Sequence, residues 1–352
     1  MRRILFAAIA AFSLAALLSS CGKDKPVPTN YLAKTYFDAW MKENYPDLVK
    51  VDPGIYVLEE TPGTGAPISK YWEDPFLSIE YTMQTLDGEV LGSTDAGIAK
   101  RVGTYSPYAY YGSRVVVRGD GNMYSCFDIA LEGMKVGGTK KFISPGWLNT
   151  YTRHSTEQEY IDNEEGDPMI VTLKVHDQFP NEVEWEVDSV ARFAGLNWNK
   201  TPVDSLIYGL YFKQLVPPTK PDTTYENGNY VWVNYVGKYL NGQAFDTNIK
   251  DSAKFYGIYN KNASYEPMKI SWSQDYKELS TYNAVVDDSG NNSENSKLVT
   301  GFSRIIFQMK EHEKAVGVFY SGLGYSYEGA GQIPAFSPLM FEVEFVDDPS
   351  KK

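Results

Sequence analysis

The chain has 352 residues and a net charge of −12, with 33 Lys and Arg against 45 Asp and Glu. This length suffices for two ordinary domains, and a hydrophobic content of 43% is enough to form their cores. Because the basic residues are few and not clustered, nucleic acid is not expected as a partner. The 27 Tyr residues favour a β-rich structure.

The first 21 residues are typical of a bacterial export signal. An apolar run from Ile4 to Leu18 follows two Arg residues, and its fifteen residues are too few for a membrane-spanning helix. The sequence Leu-Ser-Ser-Cys that ends at Cys21 resembles the lipobox, whose cysteine is diacylated. We therefore expect a signal peptide at residues 1–20 and a lipid on Cys21. The lipid would anchor the protein in the cell envelope, on the outer membrane with the leaflet left open.

The first half of the chain, after a Pro-bearing tether at residues 21–33, alternates between helical and extended patterns. Apolar and aromatic residues at helical spacing predict two helices, and short apolar runs bounded by turn residues predict strands. In chain order these elements are a helix at Lys34–Asn44, strands at Gly54–Leu58 and Leu77–Gln84, a hairpin turn at Asp87-Gly88, a helix from Phe127 to Met134 and a strand at Met169–Val175. We expect this first domain to span residues 34–180.

The second half repeats the order of the first and predicts a second domain at residues 181–352. Its elements are a helix at Val187–Leu196, a strand at Leu206–Tyr211, a hairpin at Val231–Thr247, a helix from Phe302 to Met309 and a strand at Leu339–Glu344. Tyr81 and Tyr235 are 154 positions apart, and so are Gly88 and Gly242. A period of this length indicates domain duplication rather than a solenoid.

The second copy is longer than the first between its hairpin and its helix. Phe127 and Phe302, the first residues of the two helical stripes, are 175 positions apart, so about 21 residues are inserted. The insertion includes Val286–Lys297, which is rich in Gly, Asn and Ser. With so little to bury, this segment is expected to be mobile.

The hairpin at Val231–Thr247 carries the feature on which the functional interpretation depends. Its Asn241-Gly242 turn is a strong hairpin signal, and the resulting register lets Tyr235, Phe245 and Asp246 meet at one rim of the sheet. The pattern V-x-Y-x-G followed by G-x-x-F-D resembles the FKBP-type peptidyl-prolyl cis-trans isomerases. Further fragments follow in the order of that family, namely Gly301-Phe302, Gly324-Tyr325, Gly331–Pro334 and Leu339–Glu344.

The resemblance implies both a fold class and a site. The implied fold class is α+β, with two tandem FKBP-like domains that each wrap a curved antiparallel sheet around a short α-helix. In the second domain the family's catalytic pocket corresponds to a floor at Phe302, walls at Tyr235, Phe245 and Phe341, a hydroxyl donor at Tyr325, a carboxylate at Asp246 beside the rotating carbonyl, and the N–H of Val299 on the bound peptide. Substrate-binding positions at Met268 and Ile333 complete it.

Prolyl isomerisation requires no cofactor and no metal, because no covalent bond is made or broken. The barrier of about 18–20 kcal/mol reflects the partial double bond of the amide, so the enzyme has to favour the twisted amide over the planar one. The expected partners are proline-containing polypeptides. His154, His176 and His312 are scattered, and no Cys, His, Asp or Glu cluster has the spacing of metal ligands.

The chain departs from the family pattern, mostly in its first half. In the second domain Phe302 replaces the usual Trp, and His312 replaces a turn Gly that the first domain keeps as Gly137. In the first domain the expected pocket residues are replaced by Leu91 and Gly92 for Phe-Asp, Asn149 for the lid Tyr and Val171 for the last aromatic. We therefore expect the first domain to keep the fold without the site, and its polar stretch Tyr151–Asp167 to serve any other binding role.

Two alternatives remain open from the sequence. Tyr235, Phe302 and Phe341 occupy positions that a core would fill with apolar residues whatever the function. The same pocket could therefore serve a peptide-binding chaperone without turnover. Alternatively, exposed aromatic residues could bind a glycan or a partner protein at the cell surface. The sequence does not define the oligomeric state.

Overall fold

The computed structural model describes residues 29–70, 72–119, 121–282 and 296–351. Its strands form two antiparallel sheets of seven strands each, one from each half of the chain. This arrangement confirms the predicted fold class, α+β with two tandem domains. The signal peptide, Cys21 and all but the last two residues of the segment Val286–Lys297 lie outside the described residues.

The first half of the chain forms a sheet with the strand order β1-β2-β6-β7-β3-β4, and β5 also pairs with β3. Its helices and strands are α1 (Thr29–Asn44), β1 (Lys50–Val51), β2 (Ile55–Thr61), β3 (Phe76–Gln84), β4 (Val90–Ser93), α2 (Ala96–Val102), β5 (Arg114–Val117), α3 (Ser125–Leu131), β6 (Thr139–Ser144), α4 (Glu157–Asn163) and β7 (Met169–Phe179).

The second half forms a sheet with the order β12-β11-β9-β14-β13-β8, and β10 also pairs with β9. Its helices and strands are α5 (Glu182–Trp198), β8 (Leu210–Val216), β9 (Tyr230–Tyr239), β10 (Ala244–Thr247), α6 (Lys250–Phe255), β11 (Met268–Ser271), β12 (Ser280–Thr281), α7 (Thr300–Gln308), β13 (Lys314–Phe319) and β14 (Leu339–Val346).

The two sheets share one topology. The order β2-β6-β7-β3 in the first corresponds to β8-β13-β14-β9 in the second, and β4 and β5 pair along β3 as β10 and β11 pair along β9. The register agrees as well, because Tyr81 pairs with Leu173 as Tyr235 pairs with Val343. Equivalent positions of the two copies can therefore be compared residue by residue.

One short helix in each domain packs its apolar stripe against the sheet. In α7 the stripe is Phe302, Ile305 and Ile306, continued by Met309, and all of these side chains are buried. The equivalent stripe of α3 is buried too, and it consists of Phe127, Ala130, Leu131 and Met134. Burial of each large apolar side chain contributes about 1.5–3 kcal/mol. The predicted stripes thus form the centres of the two cores.

Two elements begin at other residues than predicted. α1 begins at Thr29, inside the predicted tether, and the side-chain amide of Asn30 donates to the Ile161 carbonyl at 2.8 Å, which fastens its first turn to α4. β8 begins only at Leu210, not at Leu206. Gly209 has a φ of 70°, and the Leu206 N–H donates to the Leu210 carbonyl at 2.8 Å. This tight turn keeps the predicted first half of the strand out of the sheet.

The turn in which His312 replaces a glycine has a strained backbone. His312 has a φ of 61°, in the left-handed region that favours glycine, whereas the equivalent Gly137 has a φ of 86°. The His312 ring is held on both nitrogens, with Nδ1 2.9 Å from the Thr219 hydroxyl and Nε2 2.8 Å from the Asp347 carboxylate. These side-chain contacts offset part of the cost of the backbone conformation.

Four aromatic rings, which we call the aromatic ladder, connect the domains. Phe336 of the second domain packs edge-on against Phe76 of β3, with 5.7 Å between ring centroids. Phe76 stacks on Phe179 at 5.8 Å, and Phe179 stacks on Trp185 of α5 at 4.5 Å. The ladder therefore ties the loop before β14 to the first domain and to the helix that links the two.

The described residues include one cysteine, and it lies in the core of the first domain. Cys126 is fully buried in α3, and burial raises the pKa of its thiol to about 12. No helix in the part of the chain that the structure describes combines the length and the apolar character that crossing a membrane requires. Within the same residues, no three His, Cys, Asp or Glu side chains are grouped in a way that suits a metal ion.

Candidate active site

The pocket residues predicted in the second domain form an aromatic cluster around Phe341. The ring centroids of Phe302, Phe245 and Tyr235 lie 4.7, 5.6 and 6.2 Å from that of Phe341. Phe341 pairs with Gly237 across the ladder of β14 and β9. A Cβ at Gly237 would lie 2.6 Å from the Phe245 ring and 3.0 Å from the Phe341 ring. The absence of a side chain at Gly237 therefore lets these two rings meet over the strand.

A β-bulge explains why Phe245 and Asp246, two consecutive residues, can both contribute to the cluster. Ala244 pairs with Lys238 and Asp246 with the next residue, Gly237, so Phe245 is the extra residue of β10. A bulge interrupts the alternation of side chains and re-aims them. The Phe245 ring reaches Phe341, and the Asp246 carboxylate accepts a hydrogen bond from the Tyr235 hydroxyl at 2.6 Å.

The floor of the cluster is nearly closed. Phe302, Phe341 and Tyr235 are 4%, 6% and 9% exposed. Tyr325, Ile333 and Phe245 are half-buried and pack against the same core. A proline ring that approached from solvent would therefore touch the half-buried side chains, with Phe302 beneath them.

The polar groups of the cluster are a carboxylate and two phenols. Burial raises the pKa of Tyr235, and the charge of Asp246 and its hydrogen bond raise it further. Burial and the charge of Asp246 also raise the pKa of Tyr325. Asp246 is thus within electrostatic reach of both hydroxyl groups. Because both phenols stay protonated at neutral pH, Tyr325 can act as a hydrogen-bond donor.

The remaining predicted residues lie around the same core. Met268 is on β11 opposite Val233, and Val299 is the residue that precedes the first turn of α7. Ile333 donates its N–H to the Ala330 carbonyl at 2.8 Å, inside the loop that follows Tyr325. All three predicted residues are partly buried against the second-domain core. The role of the Val299 N–H toward a bound peptide stays a prediction.

The sequence did not single out several residues that position the cluster. Asn248 accepts a hydrogen bond from the Tyr235 N–H at 2.8 Å and donates to the Val233 carbonyl at 2.9 Å, which fixes the strand under the phenol. Phe319 stacks on Phe341 at 5.9 Å. Asn248 lies two residues after the Phe-Asp motif, which was the available signal, and Phe319 is the last residue of β13, a strand that the sequence analysis did not predict.

Glu186 of α5 holds the segment that carries Tyr325. Ser321 begins a short 3-10 turn, and it donates its N–H to one Glu186 oxygen at 2.6 Å and its hydroxyl to the other at 2.7 Å. Glu186 is 1% exposed, and burial raises the pKa of its carboxyl to about 7. No local pattern marks this residue, because α5 carries several other acids that are not buried.

No protein-family model matches the chain, and neither does any curated protein. Among solved structures, a peptidyl-prolyl cis-trans isomerase from Pseudomonas syringae pv. tomato is 22% identical over 47% of this chain and 94% of its own, with a TM-score of 0.29. The three FKBP domains of wheat FKBP73 are 16% identical over 84% and 95%, with a TM-score of 0.26. FkpA from Escherichia coli is 19% identical over 47% and 62%, with a TM-score of 0.29.

The first domain fills the equivalent position with other side chains. Met83 occupies the position of Gly237, and it pairs with Val171 on one side and with Gly92 on the other. The terminal methyl of Met83 would lie 3.4 Å from a Cβ at Gly92. Leu91, at the position of Phe245, is 57% exposed. The first domain thus has neither the ring cluster nor the carboxylate at these positions.

The first-domain residue that corresponds to Tyr325 is Thr150, so the prediction of Asn149 is one residue early. Each domain has a short 3-10 turn after the equivalent strand, at Gly146–Leu148 and at Ser321–Leu323. Tyr325 and Thr150 each lie two residues past the end of that turn. The offset of 175 positions between Phe127 and Phe302, applied to Tyr325, leads to Thr150. Neither first-domain residue offers a phenol.

Proposed function

We propose that the second domain is a peptidyl-prolyl cis-trans isomerase acting on proline-containing polypeptides. The observation that carries this proposal is the bulge at Phe245, which allows an aromatic ring and the Asp246 carboxylate to share one site. Core packing alone accounts for the buried rings, but it does not account for the exposed Asp246 carboxylate that accepts a hydrogen bond from the Tyr235 hydroxyl. The first domain is proposed to be non-catalytic.

The site would act by favouring the twisted amide over the planar one. The client's proline ring would pack on Phe245, Tyr325 and Ile333, away from water. The Tyr325 hydroxyl would donate to a client carbonyl, and the Asp246 carboxylate, held by the Tyr235 hydroxyl, would lie beside the rotating amide. Groups that are already oriented need no reorganisation in the transition state. A ten-thousand-fold acceleration requires about 5.5 kcal/mol of such preference.

We further propose that the protein assists exported clients while anchored to a membrane of the cell envelope by lipid on Cys21. Two acyl chains on one cysteine give a stable anchor where a single chain would not. Phase separation in detergent tests the lipid anchor, because the lipidated protein should enter the detergent phase and Cys21→Ala should not. An equal partition of both forms would contradict the lipid anchor.

An isomerisation assay on short proline peptides tests the catalytic proposal in the full-length protein. Loss of one oriented hydrogen bond costs about 1–2 kcal/mol, so Asp246→Ala and Tyr325→Phe should each lower kcat/KM about tenfold or more. The matched control is Tyr81→Phe, because Tyr81 packs on Phe127 at 5.6 Å as Tyr235 packs on Phe302 at 5.7 Å. Activity that survives both second-domain substitutions, or is lost in the control, would overturn the assignment.

The second candidate is a peptide-binding chaperone without turnover. The nearly closed floor favours it, since a proline ring held mainly by half-buried side chains could bind without being twisted. Fluorescence anisotropy of a labelled proline peptide, together with the isomerisation assay, distinguishes the isomerase from the chaperone. Binding that Phe245→Ala weakens, in a protein with no isomerase activity, would select the chaperone.

A further inference from the structure

A cavity of about 350 Å³ lies between the two domains, beside the aromatic cluster. Its walls come from three parts of the chain. They include Tyr110 and Arg114 of the first domain, Trp185 of α5, and Tyr239, Pro334 and Phe336 of the second domain. The cavity is therefore a property of the two-domain chain that neither domain would have alone.

The cavity walls are held in place by hydrogen bonds between the domains. The side-chain amide of Gln243, next to the hairpin turn of the second domain, donates to the Ala109 carbonyl at 2.6 Å. Asn241 of the same turn donates to the Tyr111 carbonyl at 3.0 Å. The Tyr108 hydroxyl donates to the Ile258 carbonyl at 3.1 Å. The segment of the first domain that forms one wall is thus fastened to the second.

Tyr239 lines the cavity and also packs beside the proposed isomerase site. The Tyr239 ring lies 4.7 Å from that of Tyr110 and 5.1 Å from that of Phe245, measured between centroids. On the other side, Pro334 directly follows Ile333, a predicted rim residue. An extended chain advances about 3.3 Å per residue. A client with its proline at Phe245 would therefore place in the cavity those residues that are two to four positions from the proline.

Arg114 is the one charged residue among those that line the cavity. Its Nη2 donates to the Tyr110 carbonyl at 3.2 Å, and its Nε is buried without a hydrogen-bond partner. Among the described residues no carboxylate forms an ion pair with it, and the nearest Glu80 oxygen, on the neighbouring strand, lies 3.2 Å from the His176 Nε2. A partly buried guanidinium without a counter-ion is costly, and a ligand carboxylate would relieve that cost with charge-assisted hydrogen bonds.

We infer that this cavity binds the segment of the client that flanks its proline, and that Arg114 selects an acidic residue there. The inference rests on the proposed isomerase function, because the peptide reaches the cavity from that site. The first domain then contributes to substrate choice without having a site of its own. The acidic chain, with its net charge of −12, would otherwise repel acidic clients, so a local cation is needed to admit them.

A series of proline peptides of equal length tests the inference on the full-length protein. The peptides carry Glu or Gln at the second, third or fourth residue from proline, on either side. Because one charge-assisted contact is gained, the best Glu peptide should have a KM about tenfold lower than its Gln partner. Arg114→Gln should remove this difference, and Arg114→Lys should retain part of it. The control Arg101→Gln, at an exposed position of α2 away from the cavity, should leave it unchanged.

The outcomes separate this inference from the function on which it rests. Turnover with no Glu preference, or with a preference that survives Arg114→Gln, overturns the cavity inference alone. If no peptide is isomerised, the catalytic proposal fails, and anisotropy with the same labelled peptides still decides whether Arg114 selects acidic ligands. Circular dichroism of each variant establishes that a lost preference does not come from unfolding.

Discussion

The two domains share one fold but differ at the positions of the proposed active site. Both have the same strand order, the same register and one buried helical stripe. At the crossing of the central strands, however, the second domain has Gly237 beneath Phe245, and the first has Met83 beside Gly92. The first-domain sheet is intact although Met83, Leu91 and Gly92 stand at the positions of Gly237, Phe245 and Asp246. The fold therefore does not depend on the residues that the second domain has at these three positions.

The helices that precede the two sheets show a second difference. In the first domain α1 contacts the 3-10 turn through two rings, Phe37 and Trp147, whose centroids are 5.6 Å apart. In the second domain α5 contacts the equivalent turn through the Glu186 carboxylate on Ser321. The connection in the first domain is apolar and insensitive to pH, whereas the one in the second domain includes the Glu186 carboxyl group, which can titrate. The segment that carries Tyr325 is therefore held by a group whose charge depends on conditions.

The largest loss of isomerase activity is expected when Met, the residue at the equivalent first-domain position, replaces Gly237. In Gly237→Met the new Cβ would lie 2.6 Å from the Phe245 ring, so that ring has to leave its place over Phe341. We expect isomerase activity to fall more than about a hundredfold, and the overpacked sheet to lose about 1–3 kcal/mol of stability. Peptide isomerisation and urea unfolding measure the two effects.

The reciprocal change is the control for this comparison. Met83→Gly opens the equivalent position of the first domain but supplies no phenylalanine and no carboxylate. We expect it to leave the activity of the whole protein unchanged. Near-normal turnover in Gly237→Met would contradict this prediction, since the ring cluster would then be unnecessary for isomerase activity.

A second pair of substitutions separates stability from activity. Phe302→Ala and Phe127→Ala each remove a buried ring from an equivalent helix, so each should destabilise its own domain by about 3–5 kcal/mol. Only the change at Phe302 should affect isomerase activity. The milder Phe302→Leu, expected to remain folded, should lower turnover while Phe127→Leu does not. Equal losses of activity at both positions would argue for a general effect of unfolding.

The last expected effect is a loss of second-domain stability between pH 5 and pH 8, with no direct change at the proposed site. The pKa of Glu186 is raised to about 7 in the fold, so the folded state binds the proton more tightly than the unfolded state does. The associated stability is present below about pH 4.5 and is lost as the pH rises through 7, at most about 3 kcal/mol. Urea unfolding at pH 5 and pH 8 should show this loss, and Glu186→Gln should lack it. If the free energy of unfolding depends on pH in the same way in the unmodified protein and in Glu186→Gln, Glu186 is not the group responsible.

The sequence was sufficient to predict the fold, because the repeat of 154 positions and the alternation of apolar residues are local signals. The site was accessible to prediction through the Phe245-Asp246 motif and the residues ordered behind it. Glu186 and Arg114 were not predicted. Glu186 binds Ser321, 135 positions away, and Arg114 lines a cavity together with residues of the second domain, so no spacing along the chain marks either residue. The start of β8 was missed because the left-handed backbone at Gly209 depends on its tertiary surroundings.

The aromatic ladder bears on how a duplicated chain can diverge. Phe76 and Phe179 belong to the domain that lacks the ring cluster, yet Phe76 packs against Phe336 in the loop beside the proposed active site, and Phe179 stacks on Phe76. A change at either first-domain ring is therefore expected to disturb that loop of the second domain. Among homologues we expect these two rings to vary less than Leu91 and Gly92.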